Sequence, residues 1–132
     1  MIRVRGVDHV AINCKDLAKS LEFYTGVLGL QVSPRENQKP GIEIFLDCGT
    51  SLIGLIQSKA PEPVHAFQEP GVGAKHIGFR IDAASFDAVM AEMNRRGIPI
   101  RFFKKREKSW SMYFNDPDGN NLEMTAWPAE DA

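Results

Sequence analysis

Glu123 closes the stretch FNDPDGNNLE (114–123) and stands between Leu122 and Met124 in a short apolar strand. A carboxylate there is costly to bury unless a partner or a metal ion takes up its charge. Two of the three histidines are candidate partners: His9 in DHVAIN (8–13) and His76 in KHIGFR (75–80), each inside a run that reads as a strand. Two imidazoles and one carboxylate on converging strands make the 2-His-1-carboxylate set, which suits a divalent first-row metal and leaves coordination positions open. The same ligands serve Fe, Mn, Ni, Co or Zn, so they do not select the ion. Taken singly, a strand histidine is more often a surface or hydrogen-bonded group, and a strand glutamate more often faces solvent. Joint placement carries the metal reading.

The elements that must position these groups are visible as an internal repeat. FLDCGTSLIGL (45–55) aligns with FNDPDGNNLEM (114–124), placing Phe45 on Phe114, Asp47 on Asp116, Ile53 on Leu122 and Leu55 on Met124, each pair 69 residues apart. DHVAIN lies over KHIGFR, with His9 and His76 separated by 67. Each half carries one helical pattern. The first is DLAKSLEFYTGVLGL, with Asp16 as N-cap and Leu17, Leu21, Tyr24 and Leu28 on one stripe. The second is SFDAVMAEMNRRG, with Ser85 as N-cap and Gly97 just past the end. The pattern therefore predicts an α+β fold of two β-α-β-β-β modules that form a cleft. They make one domain over 1–132, with module one at about 1–59, a linker at about 60–73 and module two at about 74–132. The linker holds Pro61, Pro63, Pro70 and His65 and reads as a surface loop, with His65 solvent-exposed.

Strand alternation then assigns faces. Val10 and Ile12 share one side of the first strand, opposite His9, Ala11 and Asn13. Ile77, Phe79 and Ile81 oppose His76, Gly78 and Arg80. The greasier sides must lie under the helices, so both histidines point to the other, concave side, and Glu123 joins them with Asn121 and Thr125. Asp116-Pro117-Asp118-Gly119 has the chemistry of a tight hairpin turn. If that hairpin pairs Phe114 with Leu122, Tyr113 lies across from Glu123, where its phenol could hydrogen-bond a metal-bound substrate or act as an acid. Leu52, Ile56, Trp110 and Met112 read as further cleft-facing positions.

Composition excludes several function classes. Formal net charge is −1, with 25% charged and 43% hydrophobic residues, which gives no electrostatic case for nucleic acid or an anionic membrane. The run Lys104-Lys105-Arg106 with Lys108 reads as a solvated loop. No apolar stretch is long enough to span a bilayer, the start MIRVRGVDHV is not a signal peptide, and Cys14 and Cys48 suggest no disulfide framework, so a cytoplasmic location is expected.

The blocks VDHVAINCKDLAKSLEFYTGVLGL, KHIGFRI and MYFNDPDGNNLEM, in that order, resemble the vicinal oxygen chelate superfamily. This is the family of glyoxalase I, extradiol dioxygenases, fosfomycin-resistance enzymes, methylmalonyl-CoA epimerase and bleomycin-resistance proteins. The resemblance implies paired β-α-β-β-β modules and a divalent metal held by His9, His76 and Glu123. It also implies a small-molecule substrate chelated through two oxygens, and a homodimer in which His9 of one chain meets His76 and Glu123 of the other. Departures from family patterns rank the activities. Gly54, the repeat counterpart of Glu123, offers no fourth ligand or base, which weakens the glyoxalase I and epimerase readings. The extradiol signature also wants a histidine upstream of the tyrosine, where Lys105, Arg106 and Glu107 stand. Fosfomycin enzymes hold a phosphonate with cationic residues, and Lys104, Lys105, Arg106 or Lys108 could serve, though no arginine follows Glu123. Oxygenase or group-transfer chemistry therefore leads, a glyoxalase-like lyase or isomerase comes second, and a non-enzymatic bleomycin-resistance-like binder third.

Overall fold

The computed structural model describes residues 1–34, 38–60 and 71–128. The linker prolines and His65 lie outside the described residues. The chain divides into two compact units, Met1–Val64 and His65–Ala132.

In the first unit, β1 (His9–Cys14) is followed by α1 (Leu17–Glu22), β2 (Gln31–Val32), β3 (Glu43–Cys48) and β4 (Ser51–Gln57), in a sheet of order β1-β4-β3-β2. β1 and β4 run parallel with Ala11 opposite Gly54, and β3 and β4 are antiparallel with Phe45 opposite Gly54. Asp16 caps α1 as its sequence position predicts, its Oδ1 accepting from the Lys19 N–H at 3.2 Å. Gln57 adds a second cap, accepting from the Leu17 N–H at 2.9 Å and donating to the Lys15 carbonyl at 2.9 Å. The predicted long helix is shorter than its apolar stripe. After Glu22 the backbone widens into a π-helical turn, Phe23–Val27, where the Thr25 hydroxyl donates to the Leu21 carbonyl at 2.6 Å and Gly26 adds no side chain to pack. Leu17 and Tyr24 are still buried in the core, as are Ile12, Cys14, Leu46, Ile53 and Leu55.

The second unit repeats the plan: β5 (Ile77–Asp82), α2 (Phe86–Arg95), β6 (Phe102–Lys105), β7 (Trp110–Asn115) and β8 (Asn121–Trp127), ordered β5-β8-β7-β6. Gly78 pairs with Glu123, as Ala11 pairs with Gly54, so the two sequence offsets of the repeat reappear as equivalent register positions. Helix α2 starts differently from the prediction. A 3-10 turn, Ala83–Ser85, precedes it, and the Ser85 side chain makes no capping bond. Gly97 does end it, at φ +68°, a conformation glycine adopts without strain.

Pairing in the β7–β8 hairpin corrects two predicted positions. Met112 pairs with Met124 and Trp110 with Ala126, which puts all four on the helix side of the sheet. Met112 is fully buried, and Trp110 packs against Phe86 of α2 at 6.0 Å between ring centroids. The sequence pattern predicts both to face the cleft. Strand parity excludes that, because Ser111 and Tyr113 alternate with them and face the other way. Among the described residues no helix is long and apolar enough to cross a membrane.

Candidate metal centre

The hairpin that carries Glu123 is locked by Asp116. Its buried carboxylate accepts from the Asp118 and Asn120 N–H groups, both at 2.9 Å, and from the Asn120 side-chain amide at 2.8 Å. Gly119 takes φ +84°, which a residue with a Cβ adopts only under strain. With the turn so fixed, Asn115 meets Asn121, Phe114 meets Leu122, and Tyr113 stands directly opposite Glu123.

Glu123 is 6% exposed, and its two oxygens have different surroundings. Oε1 accepts from the Tyr113 hydroxyl at 3.1 Å and the Thr125 hydroxyl at 2.9 Å, with Nη1 of Arg106 at 3.8 Å. Oε2 faces Nε2 of His76 at 2.9 Å. Burial, the largest single influence, raises the Glu123 pKa. Hydrogen bonds from Ser111, Thr125 and Tyr113 and the neighbouring His76 charge together outweigh it and bring the carboxyl below its ordinary range. Gly78 beneath leaves room: a Cβ there would sit 3.6 Å from Oε2, an ordinary contact.

His76 immediately precedes β5, its ring edge-on to Tyr113 at 5.8 Å. Tyr113 is stacked on Phe102 at 4.3 Å and accepts from Nη2 of Arg106 at 3.3 Å. Its phenol is therefore committed to Glu123, as an outer-layer partner of a ligand would be. Arg106 also donates to the Ser111 hydroxyl at 2.7 Å, and it lines a cavity of about 350 Å³ with Glu123, Thr125, Arg80 and Trp127. In the sequence Arg106 reads as one of four cations in a solvated run, any of which could hold a phosphonate. The signal that could have singled it out is the alternation Ser111, Tyr113 beside Glu123, Thr125, which builds a polar patch within an arginine's reach.

In the first unit, His9 opens β1, with Nδ1 2.6 Å from Oδ2 of Asp8 and its ring edge-on to Phe45 at 5.7 Å. An imidazole held at Nδ1 by a carboxylate keeps Nε2 available as a donor to metal. Gly54 has a packing reason to be glycine: a Cβ there would lie 2.8 Å from the Phe45 ring. A glutamate at this position displaces that ring, so it is not a simple addition of a fourth ligand. Among the described residues of either unit, no three His, Cys, Asp or Glu side chains gather to hold a metal. The second unit brings together His76, Glu123 and Tyr113, and the first holds His9.

The donor pair His76–Glu123 fits a metal ion. Two ligand atoms bound at about 2.1 Å and at right angles stand about 3.0 Å apart, against roughly 3.4 Å for a tetrahedral angle. The 2.9 Å separation of Nε2 and Oε2 is that of a hydrogen-bonded ion pair and is also close to the first value. Oε1, saturated by hydroxyl donors, holds the carboxylate with Oε2 toward the imidazole.

Residues 6–124 match the family model described as Glyoxalase/Bleomycin resistance protein/Dioxygenase superfamily. The glutathione transferase FosA of Serratia marcescens is 27% identical over 121 residues, covering 92% of this chain and 80% of the relative. The metallothiol transferase FosB of Staphylococcus epidermidis is 28% identical, covering 93% and 82%. Among solved structures, the lactoylglutathione lyase of Agrobacterium tumefaciens superposes with a TM-score of 0.72 at 25% identity, covering 93% of this chain and 94% of that one.

Proposed function

This chain belongs to the glyoxalase/bleomycin resistance protein/dioxygenase superfamily, and from that premise we propose a divalent-metal-dependent enzyme that transfers a group to a small, anionic, two-oxygen substrate. His76 and Glu123 are the metal ligands of the second unit, and His9 of a second copy completes the set in a homodimer. The observation that carries this reading is the asymmetry of Glu123: Oε1 is occupied by Tyr113 and Thr125, while Oε2 is left to pair with Nε2 of His76 at 2.9 Å.

The metal, when bound, supplies Lewis acidity to substrate oxygens. The chain's own residues do the rest. Tyr113 and Thr125 fix the carboxylate's rotation, so that the ligand atom is presented without a search over rotamers. Phe102 and His76 hold the Tyr113 ring on two sides. Arg106 and Arg80 line the cavity and favour a substrate with negative charge, which guanidinium groups bind through paired hydrogen bonds. That charge preference supports group transfer over ring cleavage of a catechol. Gly54, with no carboxylate and no room for one beside Phe45, argues against proton transfer of the glyoxalase I type.

Metal analysis tests the core of the reading. Wild-type protein from metal-supplemented medium is expected to hold about one divalent ion per chain, and His76→Ala and Glu123→Ala far less, since a two-point site is weak. Full occupancy in both variants refutes the assignment. Thiol consumption with fosfomycin, oxygen uptake with catechol and isomerisation of the methylglyoxal–glutathione hemithioacetal then separate the three chemistries.

A further inference from the structure

Beside the proposed ligand pair stands a cation that a metal centre does not need. Arg106 donates hydrogen bonds to neutral hydroxyls, Ser111 at 2.7 Å and Tyr113 at 3.3 Å. Its Nη1 lies 3.8 Å from Oε1 of Glu123, near enough for attraction and too far for a hydrogen bond. The backbone of this residue is fixed, its N–H donating to the Ser109 carbonyl at 2.8 Å across a tight turn. The side chain is more than a third exposed and borders the 350 Å³ cavity. The guanidinium is thus anchored at its root and held at its tip by modest acceptors.

A divalent ion on Glu123 would share that carboxylate with Arg106, and two positive charges meeting at one anion oppose each other. A small oxyanion in the cavity is a stronger acceptor than a hydroxyl for a planar, multiply donating guanidinium. Resting on the reading of His76 and Glu123 as ligands, we propose that Arg106 couples anion binding to metal binding. It offsets the charge of Glu123 when no anion is present and turns to the anion when one is bound. Metal and oxyanion then bind with positive cooperativity, and by linkage each strengthens the other by the same factor. Arg106 is a positioning and coupling residue in this scheme, and the ligand class is a small phosphonate, phosphate or carboxylate.

The test titrates Mn²⁺ into the metal-stripped protein by calorimetry, with and without saturating methylphosphonate. In wild type, methylphosphonate is expected to tighten Mn²⁺ by about tenfold. In Arg106→Ala, Mn²⁺ alone binds about tenfold tighter than in wild type, and the methylphosphonate effect falls severalfold, to the share that contact with the metal itself contributes. Arg106→Gln, which keeps a donor for Ser111 without the charge, behaves like Arg106→Ala; Arg106→Lys retains most of the coupling. The sign is decisive, because loss of a merely structural arginine weakens metal binding. Weaker Mn²⁺ binding in both neutral variants overturns the proposal. So does coupling that persists undiminished in them, which would mean that Arg106 carries none of it and that contact of methylphosphonate with the metal carries it all. His76→Ala and Glu123→Ala, run alongside, keep the two ideas apart. If these bind Mn²⁺ like wild type the metal reading falls, whereas if they lose it and Arg106→Ala does not gain, only the coupling falls.

Discussion

Tyr113→Phe isolates the hydroxyl that holds Glu123. The variant keeps the ring stacked on Phe102 and edge-on to His76, so no cavity opens. It removes a 3.1 Å hydrogen bond to a carboxylate that is 6% exposed. A bond to a charged acceptor contributes about 1.5–3 kcal/mol, and Thr125 continues to serve the same oxygen, so about 2 kcal/mol of stability should be lost at neutral pH. For a chain of this size that corresponds to a fall in Tm of about 6–10 °C. The sign with pH follows from the direction of the Glu123 shift. Its folded pKa lies below the ordinary 4.5, so the carboxylate's contribution is fully present above that value and is lost as pH falls through the folded one. Tyr113→Phe raises the folded value, so the gap between variant and wild type is widest at neutral pH. It should narrow as both carboxyls take up protons in acid. Urea unfolding of metal-stripped protein at pH 7 and near pH 3 measures both gaps. A gap equal at the two pH values, or absent at pH 7, refutes the view that the phenol acts through the Glu123 charge.

Gly54→Ala places a Cβ 2.8 Å from the Phe45 ring, and overpacking of that kind costs about 1–3 kcal/mol, readable as a lower urea midpoint; unchanged stability would show that the ring yields freely. Gly54→Glu should not tighten metal binding, since the displaced Phe45 ring is the one packed against His9; calorimetry with Mn²⁺ checks it. For the shared site, mixing His9→Ala with Glu123→Ala chains should restore metal to one of the two sites in each heterodimer. A monomer by light scattering at micromolar concentration contradicts it.

The sequence by itself determined the features that depend on local periodicity. Alternation along β5 and β8 assigned faces to His76, Glu123 and Thr125, and the turn residues Asp116 to Gly119 set the register that brings Tyr113 opposite Glu123. Both are legible because side-chain direction repeats every two residues and the turn admits few conformations. The same rule, applied consistently along β7, puts Trp110 and Met112 on the helix side, as their pairing with Ala126 and Met124 requires. Helix α1 was legible at its start, where Asp16 caps it, and less so at its end. The switch to a π-helical turn depends on a Thr25 hydroxyl choosing a backbone acceptor, which an apolar stripe does not report.

Only the tertiary structure decided what depends on long, flexible or distant side chains. Arg106 is seven residues from Tyr113 and seventeen from Glu123, and nothing in a run of cations says which one reaches across β7 to a carboxylate. The glycine at 54 looks like a missing ligand in the repeat and proves to be a floor for the Phe45 ring. The two oxygens of Glu123 are equivalent in the sequence. Donors on neighbouring strands make them different, because hydrogen bonding acts on the positions of individual atoms, whereas sequence periodicity fixes only the side to which a residue points.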